Sequence, residues 1–261
     1  MSGAAATLLH FAAQESRRFG LRVFRAEADV VDADALIETL ERERVDVAIL
    51  RVPETARDSI DALRMRGLAP IFADTIVRYE TNLPIVSLAL DDGVTLRHAT
   101  ATDAKDLDWL ARKIFDGYET HYHANRLFTA AKIVEGYGEW AASHACDERE
   151  ALGAWFVDLN GEVAGFSCYR VEREKGLAIG VLNGVLPAFR RRGVYGHMLR
   201  RMLAEFGSRG LTRFAIATQL QNVAVQRIWR AEGLVLTRTE ISAHINAMRG
   251  AASASPESER A

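Results

Sequence analysis

The sequence predicts an α/β fold in which a small α/β unit precedes a larger domain built on a mixed central sheet. Three observations point there. Short apolar runs rich in β-branched and aromatic residues alternate with segments of helical periodicity. Two of those runs are joined by Asn160-Gly161, the strongest short hairpin signal. A basic turn broken by glycine, Arg190 to Gly196, then leads from a strand into a helix.

Taken in order, Leu21 to Phe24, Val47 to Val52 and Pro70 to Val77 read as strands. Ala33 to Arg44 carries Leu36, Ile37 and Leu40 at helical spacing, and Pro53 to Arg66 opens with proline at a helix-entry position. Ile85 to Leu90 is a further apolar run, and the Asp91-Asp92-Gly93 turn marks the expected boundary, giving domains at 1–90 and 91–249. Val94 to His98 begins the second. Asp103 reads as the cap of a helix from Ala104 to Phe115, and another helical stretch runs from about Ala130 to Ala145. Ala151 to Leu159, Val163 to Val171 and Leu177 to Leu186 form an antiparallel meander. A helix follows with Tyr195, Met198, Leu199, Met202, Leu203 and Phe206 on one face. After it come a strand from Leu211 to Leu220, a short helix from Asn222 to Ala231 and a last strand from Leu234 to Ile245. The tail, 250–261, lacks apolar anchors and reads as disordered.

Composition narrows the partners. Of the 261 residues, 49% are hydrophobic and 26% charged, as in ordinary globular proteins, and the net charge of -2 gives no general attraction to nucleic acid or anionic lipid. No segment approaches the roughly 18 apolar residues that a membrane span needs. The two cysteines, Cys146 and Cys168, suggest no disulfide framework, so a reduced, cytoplasmic setting is expected. A small-molecule partner fits this profile, and a homodimer is left open.

The turn at Arg190, Arg191, Arg192, Gly193, Val194, Tyr195 and Gly196 has the makings of an anion site. The first N–H groups of a helix lack partners within it, the helix dipole is positive there, and glycine admits a phosphate without a Cβ clash. Solvated arginines on an ordinary turn are the plain alternative. Arg190 and Gly193, the meander before them, and the later segment from Asn222 through Trp229 to Gly233-Leu234 together resemble the GNAT superfamily of acetyl-CoA-dependent N-acetyltransferases over about Val94 to Ile245. Tyr195 stands where that family usually has a second small residue.

The resemblance implies that acetyl-CoA is the co-substrate and that its pantetheine arm lies between two splayed strands. It further implies that the N–H near Asn183 polarises the thioester, that Val185 and Leu186 bond the pantetheine amides through their backbone, and that Asn222 holds the other side. Asn222 also suits a helix N-cap. Trp229 occupies the position where many members place a tyrosine that protonates the leaving thiolate. Indole N–H is no usable acid, so Trp229 either contacts the cofactor or belongs to the core.

No Asp, Glu or His lies in Leu177 to Leu186. Proton transfer is therefore sought in Tyr118-Glu119-Thr120-His121-Tyr122-His123-Ala124-Asn125, with His121 or His123 as base and Tyr118 or Tyr122 as acid. A loop of packed aromatics is the alternative, and no metal site is expected. The preceding α/β unit is similar in arrangement to acetyltransferases of dTDP-fucosamine, which implies a nucleotide-linked amino sugar as acceptor. Another amine (an aminoglycoside, an amino acid or a protein N-terminus) and a non-catalytic acyl-CoA sensor remain as alternatives.

Overall fold

The computed structural model describes residues 9–83, 93–147 and 151–247. The apolar run from Ile85 to Leu90 and the tail at 250–261 lie outside them. The chain forms two compact units, each discontinuous in sequence: one of residues 1–74, 124–127 and 240–261, the other of 75–123 and 128–239.

In the first unit β1 (His10–Phe11), β2 (Val23–Glu27) and β3 (Val47–Pro53) alternate with α1 (Ala13–Phe19), α2 (Ala33–Arg42) and α3 (Arg57–Met65). The parallel pair β2 and β3 is joined through α2, as parallel strands require. Asp32 caps α2 by accepting from the N–H groups of Asp34 and Ala35 at 3.0 and 3.1 Å. On the far edge of β3 lies residues 240–246 of β10 (Val235–Asn246), antiparallel, with Ser242 opposite Arg51. Leu36 and Leu40 of α2 and Ile60 and Leu63 of α3 pack on one face of these strands, against Leu50, Val52, Ile241 and Ile245. The alternate residues Glu240, Ser242 and His244 are buried as well.

The second unit's sheet runs in the order β4-β9-β8-β7-β6-β5. These are β4 (Ile71–Asn82), β5 (Val94–His98), β6 (Leu152–Leu159), β7 (Glu162–Glu172), β8 (Leu177–Val185) and β9 (Arg213–Gln219). All neighbours are antiparallel except β8 and β9. Asn160 and Gly161 turn the β6–β7 hairpin with φ of 53° and 88°, the backbone a tight two-residue turn demands. α4 (Ala104–Phe115) and α5 (Ala130–Ala142) cover one face, with Leu107, Leu110 and Ile114 against Phe156, Phe166 and Leu182. α6 (Val194–Ser208) and α7 (Val223–Ala231) cover the other, with Met198, Met202, Phe206 and Trp229 against Tyr79, Tyr169 and Phe214.

Asp103 is the N-cap residue of α4, as expected, but its side chain makes no hydrogen bond to that helix; its carboxylate accepts from the Thr100 N–H at 2.8 Å within a capping box around the preceding 3-10 turn. Among the described residues no helix is long and apolar enough to cross a membrane.

Candidate active site

β8 and β9 are paired from Leu177 and Arg213 only as far as Gly180 and Ile216. A bulge explains where the pairing ends. Cys168 of β7 opposes Leu182 and Tyr169 opposes Gly180, so Val181 has no counterpart and β8 bends there. Beyond the bulge β8 stays with β7 and parts from β9.

The backbone of this parted segment can be oriented from one hydrogen bond. The Leu186 N–H donates to Ala164 O at 2.8 Å. Successive N–H groups of a strand alternate between its two edges, so those of Asn183 and Val185 face the gap on the β9 side. The Asn183 side chain is engaged elsewhere: the Ser167 hydroxyl donates to its Oδ1 at 2.5 Å and lies 3.1 Å from Met202 Sδ. Leu186 has both backbone groups in use, because its carbonyl also accepts from the Phe189 N–H at 2.9 Å.

The turn after β8 presents the N-terminus of α6. No side chain caps this helix, and its cap residue Gly193 has φ of 77°, a conformation that β-carbon-bearing residues adopt only with strain. Arg191 adopts φ of 61° beside it, so two left-handed residues bracket Arg192 and curl the chain into a concave run of amides. Val194, Tyr195 and Gly196 supply the first helical N–H groups, which have no partner within a helix. The three arginines do different work. The Arg190 guanidinium turns back to donate to Val185 O and Ile114 O, both at 3.3 Å, and so ties the turn to β8 and α4. Arg192 lies over the Phe189 ring at 5.3 Å, and Arg191 and Arg192 are exposed. A Cβ on Gly196 would meet nothing closer than 3.6 Å, so this glycine is not forced by packing.

Trp229 is 1% exposed and stands in the core, edge-on to Tyr79 at 5.5 Å. Its Nε1–H donates to the Tyr195 hydroxyl at 3.2 Å. Burial pushes the Tyr195 hydroxyl above the usual phenol range, with the Trp229 hydrogen bond acting against it.

The segment from Tyr118 to Asn125 does not converge on one point. Tyr118 stacks edge-on against Phe115 at 5.4 Å and sends its hydroxyl to Gln219 Oε1 at 2.5 Å. Asn222 Nδ2 donates to the same hydroxyl at 3.4 Å and to Thr218 Oγ1 at 3.1 Å. His121 is buried with its ring 3.9 Å from that of Tyr122, which in turn meets Phe128 edge-on. His123 is exposed and its Nδ1 accepts from the Thr120 N–H at 3.1 Å, which places its ring proton on Nε2. Asn125 donates to Asn246 Oδ1 at 2.7 Å within the first unit. The structure thus brings Tyr118 and Asn222 together with Thr218 and Gln219, which sequence reasoning missed. Their only signal is a polar end to an otherwise apolar strand. Among the described residues no group of three or more His, Cys, Asp or Glu is placed to hold a metal ion.

Residues 112–233 match the Acetyltransferase (GNAT) family. No curated protein matches the chain significantly. Among solved structures it is similar to a functionally unknown conserved protein from Staphylococcus epidermidis, with a TM-score of 0.61 and 10% identity over 95% of this chain and 94% of that one. It is also similar to a GCN5-related N-acetyltransferase from Kribbella flavida, with a TM-score of 0.52 and 17% identity over 85% and 81%. A tandem GNAT protein from the clavulanic acid biosynthesis pathway aligns with a TM-score of 0.54 and 13% identity over 88% and 76%. At these identities the likeness is one of fold.

Proposed function

We propose that the chain, whose residues 112–233 match the Acetyltransferase (GNAT) family, transfers the acetyl group of acetyl-CoA to the primary amine of a nucleotide-linked amino sugar. One observation carries the donor half: β8 and β9 part beyond Gly180 and Ile216 directly before an uncapped helix N-terminus. A gap of that kind accepts an extended amide-bearing arm, and the amides behind it accept a pyrophosphate.

In this reading the N–H groups of Val194, Tyr195 and Gly196 bind the pyrophosphate, helped by Arg191 and Arg192, while Arg190 fixes the shape of the turn. The Val185 backbone bonds the pantetheine arm. The Asn183 N–H, aimed into the gap, stabilises the oxyanion that develops on the thioester carbonyl. Asn222 lines the opposite side. Trp229 supports Tyr195 from the core and takes no part in proton transfer. His123 is the exposed imidazole of the Tyr118 to Asn125 segment, and we assign it, directly or through water, to accept the ammonium proton of the acceptor.

The acceptor half rests on the small α/β unit whose first strands precede the domain, an order that resembles that of the dTDP-fucosamine acetyltransferases. Purified protein given acetyl-CoA and a panel of dTDP- and UDP-linked amino sugars should release thiol with at least one of them. Activity confined to polyamines, peptides or aminoglycosides would overturn the acceptor, and failure to bind acetyl-CoA by calorimetry would overturn the donor.

A further inference from the structure

We propose, resting on the acyl-transfer reading above, that the Tyr118 hydroxyl is the proton donor to the departing thiolate, with Gln219 and Asn222 as the residues that position it. The acid is thereby moved from α7, where Trp229 stands, to the connection that follows α4.

Three phenols bear on this assignment, Tyr79 and Tyr195 packed with Trp229 and Tyr118 packed on the other face of the sheet, and their partners separate them. Tyr195 is partly buried and accepts the Trp229 N–H, and burial of its hydroxyl raises its pKa. Tyr79 is 5% exposed and its hydroxyl lies 3.4 Å from Gln226 Oε1, on the helix side of the sheet. Tyr118 alone of the three bonds to residues at the parted ends of the strands, Gln219 at the end of β9 and Asn222 just beyond it.

Register gives its level along the gap. Gly180 faces Ile216 in the last parallel pair, and because Val181 is the extra residue of the bulge, Asn183 comes level with Thr218, the neighbour of Gln219. The Tyr118 hydroxyl therefore binds the residue next to the one that stands across the gap from the N–H assigned to the acyl oxygen. Gln219 and Asn222 are neutral amides, which orient the hydroxyl without supplying a charge. Its ring is held at the other end by Phe115, itself stacked on Tyr137 at 4.5 Å.

The acceptor nitrogen attacks the acyl carbon, the C–N bond forms, and the C–S bond breaks with its electron pair going to sulfur. Tyr118 gives its proton to that sulfur, so free thiol leaves. The phenolate is restored by a proton from solvent, which receives the one lost by the amine.

The test uses the full chain as wild type, Tyr118→Phe and Gln219→Leu, with acetyl-CoA and the acceptor found in the panel, or with water as acceptor through acetyl-CoA hydrolysis. Calorimetry of acetyl-CoA binding reports folding and donor affinity separately from turnover. Tyr118→Phe should bind acetyl-CoA within about 3-fold of wild type while kcat falls roughly 10²- to 10³-fold, the range for loss of a general acid. The alkaline fall in the wild-type kcat profile should vanish in Tyr118→Phe, and in Gln219→Leu it should move to a different pH. A Tyr118→Phe protein that binds acetyl-CoA and keeps kcat within about 5-fold, or keeps the alkaline fall, overturns this assignment and leaves the donor reading standing. A wild type that does not bind acetyl-CoA overturns both.

Discussion

Replacing His244 with glutamine isolates one buried imidazole as a source of acid sensitivity. His244 lies on β10 in the first unit, fully buried, across the sheet from Ile49. Burial, followed by the nearby Arg25 charge, brings its pKa down from 6.5 to about 3. The native state therefore refuses a proton that the unfolded chain takes up below pH 6.5. The cost is absent at pH 7.5, grows as pH falls through 6.5, and is complete only below the native value. At pH 5.0 the unfolded chain gains 1.36 kcal/mol for each of about 1.5 pH units, or roughly 2 kcal/mol.

For a chain of this size that corresponds to about 4–8 °C in Tm. Asp74 acts in the opposite sense, because burial raises its carboxyl pKa and protonation in acid relieves it. His144 in the second unit acts in the same sense as His244, its pKa being lowered by burial. The informative quantity is therefore a difference of differences. Calorimetric scans at pH 7.5 and 5.0 should show wild type losing about 4–8 °C more than His244→Gln. Equal losses in the two proteins would refute the argument, whatever the cost of the substitution at neutral pH.

Other substitutions test the site's architecture. Gly193→Ala combines a φ of 77° with a Cβ 3.1 Å from His197 Nε2, and should raise the KM for acetyl-CoA about 10-fold or more through a distorted turn, read by steady-state kinetics. Gly165→Ala places a Cβ 2.2 Å from the Gly184 carbonyl oxygen, a backbone atom of the paired strand. It should cost about 1–3 kcal/mol or more by urea unfolding. Trp229→Phe removes the indole donor to Tyr195 and part of a core side chain, and should lower stability by about 1–3 kcal/mol in the same assay.

Much of the second unit was legible because its signals are local. Asn160-Gly161 fixes a turn by backbone conformation, and Met198, Leu199, Met202 and Phe206 show the helical period of the face that α6 buries. α1 escaped notice because only Phe19 of its seven residues is buried, which leaves no apolar stripe to find. The polar positions of β10 mislead in the other direction. Glu240, Ser242 and His244 alternate with Ile241, Ala243 and Ile245 as a half-exposed strand would, yet both sets are buried. The site was legible where it depends on backbone, at Gly193 and the parted strands. It was not legible where a side chain chooses a distant partner. Arg190 reads as a phosphate ligand from its neighbours, but the carbonyl it binds at Ile114 is 76 residues away. Gln219 gains its significance from Tyr118, 101 residues earlier.

The pairing of β3 with residues 240–246 sets a timetable for synthesis. Val47–Pro53 leaves the ribosome nearly two hundred residues before its antiparallel partner, so the first unit's sheet stays incomplete until translation reaches β10. Through that interval an apolar strand edge is open to pairing with another chain. A fragment ending at residue 74 retains that open edge permanently, and should aggregate or recruit a chaperone where the full chain does neither. Expressing the first unit alone would require grafting residues 240–246 after residue 74, a rearrangement that restores the missing strand.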